Sequence, residues 1–334
     1  MTPTTSPTPS PAGTADGTTR SAGPRWLRAL RRRERAVLVA NLVAQIGIVV
    51  TGGAVRLTGS GLGCSTWPMC EPGQFTPAFH EATDLHPYIE FGNRTLTGVL
   101  GVIAILVAVL VWSDVRRSRG YRWLGLVPLL GVVAQAVIGG ITVLVDLHPA
   151  IVGGHLLISM ALVAASAALL HRSREGDGPA TPTATQAART TAAVMLVALV
   201  PMLVLGVIVT GSGPHSGDED AAYRFALDPA HMTRLHAVSV WVFLAILLVL
   251  ATLVLRRRPV HGPARRSVVL LLVVTLLQGG IGYAQYFTGL PVLLVGLHML
   301  GAAVLTAAAT VVPLNLRTRA GTDTSPVADA PARY

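Results

Sequence analysis

The apolar positions of this chain gather into eight uninterrupted blocks separated by short polar stretches. They lie at about residues 36–55, 92–112, 123–145, 151–170, 190–210, 235–255, 267–288 and 291–312. Each is close to the ~20 residues an α-helix needs to cross about 30 Å of hydrocarbon. A membrane β-barrel would show ~10-residue segments of alternating polarity instead, and these blocks do not alternate. The pattern predicts an all-α polytopic membrane protein with eight transmembrane helices. Residues 1–35 form the segment before the first block. Its first part, to about residue 24, is rich in Pro, Thr, Ser and Gly and has no apolar run, the composition of a disordered tail. Residues 313–334 read the same way. The Arg25–Arg35 cluster running into the first block predicts an uncleaved first helix rather than a removable signal.

Composition sharpens the picture. Of 334 residues, 51% are hydrophobic and 13% charged. The charged share is half the roughly 25% of a soluble domain, which excludes a soluble enzyme. The formal net charge is +10, and all 26 basic residues are Arg. Such a charge can signal nucleic acid, but here the arginines sit in short loops between apolar blocks. Twenty-two of them fall on one side, in the two tails and in the loops after the second, fourth and sixth blocks. Only Arg56, Arg94, Arg224 and Arg234 fall on the other. The positive-inside rule makes the Arg-rich side cytoplasmic. Both termini are then inside the plasma membrane, and no nucleic-acid partner is expected.

The chain also repeats itself. Gln135 stands 20 residues before His155, and Gln278 stands 20 before His298. A shift of 143 superposes these pairs, carries Ile138, Gly139 and Gly153 onto Ile281, Gly282 and Gly296, and places Asn93 on His236. Gly47, Thr51 and Gly52 match Gly206, Thr210 and Gly211 at a shift of 159. The difference between the shifts is a 16-residue insertion in the first outer loop. The chain therefore divides into two four-helix halves, 36–172 and 190–312, joined by a cytoplasmic linker at 173–189. An even number of spans gives both halves one orientation, so a pseudo-two-fold axis along the membrane normal is expected.

Ionisable residues within spans are costly and mark candidate sites. His155 and His298 lie within the fourth and eighth blocks, and His236 opens the sixth. A lone histidine of this kind is often satisfied by a nearby carbonyl. His236 and His298, however, come from alternate helices of one half, and two facing histidines can be the axial ligands of a haem b. The other half breaks the symmetry, since Asn93 stands where His236 has its counterpart. One strong ligand beside a weak one suits a reaction site better than an electron-transfer site. Glu90, Asn93 and Arg94 share a helical face, with His86 one turn earlier at a helix start marked by Pro87. Glu90 reads either as an interfacial ion pair with Arg94 or as a carboxylate held beside a substrate. Cys64 and Cys70 lie in the inserted outer loop, where an oxidising compartment permits a disulfide. Two cysteines alone make a poor zinc site. Gln135 and Gln278 are amides in spans and need partners. His215, His80 and His148 read as outer-loop residues, and His171 and His261 as solvated neighbours of the Arg clusters.

Several of these segments together resemble the heme A synthase family, over nearly all of residues 36–312. The resemblance is carried by Thr51-Gly52-Gly53-Ala54-Val55-Arg56-Leu57-Thr58, by Ser60-Gly61-Leu62-Gly63-Cys64 through Trp67-Pro68-Met69-Cys70, and by Ile89-Glu90-Phe91-Gly92-Asn93-Arg94. Thr210-Gly211-Ser212-Gly213-Pro214-His215 and the three span histidines complete it. It implies a haem b cofactor on His236 and His298, and a substrate heme O in the first half with His155 as iron ligand and Glu90 as the functional carboxylate. It implies oxidation of one ring methyl to a formyl group by successive hydroxylations. Many members carry a second histidine where this chain has Asn93, so the resemblance leaves His86, water or an empty position as the sixth ligand. The Cys64–Cys70 pair would aid loop folding, or electron or haem hand-over. Implied partners are heme O, an unnamed electron acceptor, membrane lipid, and the heme O-producing prenyltransferase or cytochrome oxidase assembly factors. The rival readings are a di-haem b electron-transfer cytochrome and a haem carrier.

Overall fold

The computed structural model describes residues 24–77, 85–215, 217, 218, 223–256 and 262–320. His80, His261, the acidic residues Glu219 and Asp220, and most of the two tails lie outside the described residues. In chain order the elements are α1 (Arg25–Arg32), α2 (Glu34–Leu57), α3 (His86–Trp112), α4 (Arg119–Leu144), α5 (Pro149–Arg172), β1 (Ala180–Pro182), α6 (Gln186–Ser212), α7 (Pro229–Leu255), α8 (Gly262–Phe287), α9 (Val292–Leu314) and β2 (Arg317–Arg319). Helices α2–α9 are the eight that are long and apolar enough to cross a membrane. They match the eight apolar blocks one for one.

Two helices begin about six residues before their blocks, because capping rather than hydrophobicity sets their start. Pro87 sits in the first turn of α3, and Pro229 in that of α7. Proline's fixed φ suits that position, and its missing N–H costs nothing there. The Asp228 carboxylate accepts from the Ala230 N–H, as the Ser118 hydroxyl accepts from Tyr121 N–H and Thr185 from Ala188 N–H. His236 consequently does not open its helix. It is the eighth residue of α7, while His155 and His298 are each the seventh of α5 and α9.

Helix packing reproduces the repeat. Within the first half α2 packs on α3 and α5, α3 on α4, and α4 on α5. The same relations join α6, α7, α8 and α9. Between halves α5 packs on α9, and the contacts α2·α9 and α5·α6 exchange with each other when the halves are swapped. That is the contact pattern of a two-fold axis passing between α5 and α9. Large apolar side chains such as Val43, Val102, Val197, Trp241 and Leu293 are exposed around the outside, as hydrocarbon-facing residues are. With the backbone satisfied inside each helix, such a surface is stable in lipid.

Three short elements go beyond the apolar pattern. Residues 25–32, counted with the N-terminal tail by composition, form α1, whose Arg25, Arg28, Arg31 and Arg32 gather on one side, with Trp26, Leu27 and Leu30 on the other. Residues 317–319, counted with the C-terminal tail, pair antiparallel with 180–182 of the linker. Backbone hydrogen bonding needs no hydrophobic signature, so composition could not announce this pairing. Nearby, Asp177 accepts from Arg117 Nε (2.7 Å), from the Ser118 N–H (2.9 Å) and hydroxyl (2.9 Å), and from Arg172 Nη2 (3.2 Å). Glu175 pairs with Arg172, Arg317 and His171. His171 is thus in contact with a carboxylate, its Nε2 3.4 Å from Glu175 Oε1, rather than simply solvated. This network closes the arginine-rich end of the bundle.

Candidate functional site

In the second half, His236 of α7 and His298 of α9 face one another with ring centroids 6.5 Å apart and planes at 82°. Two metal–imidazole bonds of about 2 Å each, plus the depth of each ring, require a separation of about this size. His236 Nδ1 is 3.1 Å from the Met202 carbonyl. A carbonyl only accepts, so Nδ1 carries the hydrogen and Nε2 is left as the ligand nitrogen. Among the described residues, His298 Nδ1 is buried without a hydrogen-bond partner. Both rings line a cavity with an empty volume of about 950 Å³, otherwise walled mainly by aliphatic side chains from α5, α6, α7 and α9. Two imidazoles at this separation in a largely apolar cavity are a donor set that fits a haem.

Each span histidine rests on a glycine of a neighbouring helix. A Cβ at Gly206 would stand 3.2 Å from His236 Cε1, one at Gly282 3.1 Å from His298 Cε1, and one at Gly139 3.4 Å from His155 Cε1. The bare backbone is what admits the ring. The repeated glutamines find their partners here too. Gln278 Nε2 donates to the His298 carbonyl (2.7 Å), and Gln135 Nε2 donates to the His155 carbonyl (2.9 Å) and to Ser159 Oγ (2.6 Å). The spacing of 20 residues seen in both halves is thus an inter-helix hydrogen bond that fixes the turn carrying each histidine.

The first half holds a cavity in two adjoining compartments, of about 890 and 1170 Å³ empty volume, both lined by Asn93, His155, Gln135 and Arg56. Asn93 Oδ1 accepts from Thr51 Oγ1 at 2.8 Å, so its carbonyl oxygen is already engaged. The larger compartment adds Glu90, Arg94 and Trp67. Glu90 is 5% exposed. Its Oε2 accepts from the Cys64 N–H (2.7 Å), and its Oε1 accepts from Arg94 Nε (3.1 Å) and Nη2. Arg94 Nη1 then donates to the carbonyls of Thr66 (2.9 Å) and Met69 (3.3 Å). Glu90 is thus ion-paired with Arg94 while it lines the cavity, and this arrangement pins the loop closed by the Cys64–Cys70 disulfide against α3.

His86 does not join them. It is the first residue of α3, its Nδ1 lies 2.8 Å from Ser60 Oγ, and it is not among the residues lining either compartment. His215 is a loop contact, with Nε2 3.1 Å from the Leu290 carbonyl. His148 caps α5.

A sequence profile of cytochrome oxidase assembly proteins, the COX15-CtaA family, matches residues 35–310. The chain belongs to this family. The match takes in all eight long helices and both histidine-bearing cavities, so this cytochrome oxidase assembly family member is a multi-pass membrane protein with its candidate site inside the shared region. The chain is also 34% identical over 115 residues to proteins named heme A synthase from Bacillus cereus (strain AH187), Bacillus anthracis (strain CDC 684 / NRRL 3495) and Bacillus thuringiensis subsp. konkukian (strain 97-27). Each alignment covers 34% of this chain and 36% of the relative. The chain thus spans about a third of the length of the curated relatives it matches.

Two features of the family member's site escaped sequence reasoning. Leu156, Val207, Thr210 and Met299 line both the histidine-pair cavity and the smaller compartment of the first half, so a single layer of side chains separates them. Leu156 and Met299 directly follow His155 and His298, and the 143-residue shift relates them. The other feature is Arg56, read from sequence as a loop charge. It is the penultimate residue of α2 and lines both first-half compartments. Its signals in the sequence were that it stands away from the arginine-rich side and within the Thr51–Thr58 segment of the family resemblance.

Proposed function

We propose that this chain is a heme A synthase that oxidises a ring methyl of heme O to a formyl group. Substrate would occupy the first-half cavity with His155 as iron ligand. Haem b would be held in the second half by His236 and His298. The observation that carries this reading is the asymmetry of two otherwise repeated sites. One has two histidines at axial-ligand separation. The other opposes His155 with a hydrogen-bonded amide and adds a buried carboxylate. A pure electron-transfer protein has no use for that carboxylate.

The overall change replaces the methyl by a formyl group, taking one oxygen atom from water and releasing four electrons and four protons through a hydroxylated intermediate carbon. Bound haem b would supply a one-electron relay toward an acceptor. The chain's own residues do the rest. Glu90, fixed by Cys64 N–H and Arg94, is placed to take protons from the reacting carbon or its hydroxyl and to stabilise positive charge there. Trp67 and the disulfide loop cover that compartment and limit water. Leu156 and Met299 keep the two macrocycles apart at short range. We place the disulfide end on the outer face and the arginine-rich end in the cytoplasm, following the arginine count.

The test is mass spectrometry of haems extracted from membranes of cells that express the chain together with a heme O source. Heme A or its hydroxylated precursor is the expected product. Recovery of heme B and unmodified heme O alone, with substrate supply and an oxidase-competent host confirmed, would overturn the proposal.

A further inference from the structure

Arg56, one residue from the end of α2, has no carboxylate partner among the described residues. Of the partly buried arginines among the described residues, Arg94 pairs with Glu90, Arg117 and Arg172 with Asp177, and Arg317 with Glu175, while Arg31, Arg122 and Arg319 donate to carbonyls but line neither compartment of the first-half cavity. Among the described residues Arg56 has only carbonyls. Its Nε donates to His215 O and its Nη2 to Thr210 O, each at 2.6 Å. Those two bonds tie the end of α2 to the end of α6 and its loop. They engage Nε and Nη2 of a guanidinium whose side chain lines the cavity. An uncompensated charge in a low-dielectric site is expensive. A carboxylate brought in by a ligand is the counter-ion whose planar geometry a guanidinium matches best.

The loop backbone packs against this side chain. Gly217 has φ +109°, and a Cβ there would stand 3.5 Å from Arg56 Cγ. The position is also specific to one half. The 159-residue shift that aligns Thr51-Gly52 with Thr210-Gly211 carries Arg56 onto His215, whose ring binds a loop carbonyl and lines no part of the histidine-pair cavity. Arg56 and Glu90 line the same compartment.

We propose that Arg56 is the carboxylate anchor of the first-half cavity, binding a propionate of the tetrapyrrole and thereby selecting which edge of the macrocycle meets Glu90. The proposal rests on the reading of this cavity as the heme O site. In heme O the methyl destined to become the formyl group shares a pyrrole ring with a propionate. Two ring methyls each share a pyrrole ring with a propionate, so an anchor in the compartment of Glu90 presents that propionate-bearing edge rather than the opposite edge to the carboxylate. Arg56 acts on substrate placement, and no bond is made or broken at it.

The experiment uses purified full-length protein with its haem b in place. Heme O and heme O dimethyl ester are titrated separately, followed by quenching of tryptophan fluorescence. The part of the signal lost in His155→Ala defines the first-half site. Wild type is expected to bind the free acid about tenfold or more tightly than the ester, the size of one charged hydrogen-bonded pair. Arg56→Gln is expected to weaken the free acid to the level of the ester and leave ester affinity unchanged, while Arg56→Lys keeps part of the preference. Equal acid and ester affinity in wild type overturns the proposal while the cavity reading stands. So does an equal loss for both ligands in Arg56→Gln, which would make Arg56 a staple between the halves only. Absence of any His155-dependent binding in wild type removes the cavity reading, and the anchor with it.

Discussion

Replacing Glu90 separates its chemical role from its structural one. The carboxylate is 5% exposed, and each oxygen accepts from a donor with little alternative: the Cys64 N–H at 2.7 Å on one, the Arg94 guanidinium on the other. A hydrogen bond to a charged group contributes about 1.5–3 kcal/mol. The Arg94 side chain is 18% exposed, so water takes over part of its pairing and its share falls at the lower end of that range. Glu90→Ala removes both bonds and should cost about 3–5 kcal/mol. Glu90→Gln keeps the shape and one acceptor oxygen, while its NH2 faces the remaining donor. It should cost about half as much, roughly 1.5–3 kcal/mol. Thermal unfolding of the detergent-purified protein, read beside the heme A yield in cells, distinguishes the cases. The expected result is no heme A from either variant and a clearly smaller loss of stability for Gln. Equal destabilisation would refute the account of Glu90 as the pin of the disulfide loop. A normal heme A yield from Glu90→Gln would refute its role in proton transfer.

Three further outcomes are expected. His236→Ala and His298→Ala should each lower the haem b content of purified protein, measured as pyridine haemochrome, and undiminished low-spin haem in both would remove the ligand assignment. Gly282→Val places a branched side chain where even a Cβ stands 3.1 Å from His298 Cε1, so the ring must shift by a few tenths of an ångström. Electron paramagnetic resonance should then show a loss of low-spin signal that Gly282→Ala shows only weakly, and an unchanged spectrum for Val would contradict the packing argument. At the arginine-rich end, burial pushes the Asp177 carboxyl up, but hydrogen bonds from the Ser118 N–H, Arg117 and the Ser118 hydroxyl outweigh it and hold the group below its ordinary value. Its stabilisation is therefore full above the unfolded pKa of about 3.9 and fades as pH falls through the lower folded value. Asp177→Asn should lower the melting temperature at neutral pH and converge on wild type below about pH 4, and a gap that widens in acid would reverse the sign of this linkage.

Hydropathy is a local property, and what depends on it could be read directly from residue order. Eight apolar runs of the right length became α2–α9, and the shifts of 143 and 159 residues anticipated a helix-packing pattern that survives exchange of the halves. The candidate histidines were legible for the same reason, since His155, His236 and His298 interrupt apolar runs at repeated positions. The starts of α3 and α7 were not, because Pro87, Pro229 and Asp228 stabilise polar first turns that no hydrophobic window registers. Nor were the contacts that make the candidate sites work. Glu90 meets the backbone N–H of Cys64 across 26 residues, and Arg56 meets the carbonyls of Thr210 and His215 across more than 150. Backbone donors and acceptors are the same in every residue, so no side-chain pattern marks which of them will be used. His86 shows the converse: its spacing from Glu90 placed it on the right helical face, yet Pro87 set the helix start beside it, and its ring turned to Ser60. The residue types in the two halves announced the chemistry, and the packing of helices distant in sequence fixed which of those residues share a cavity.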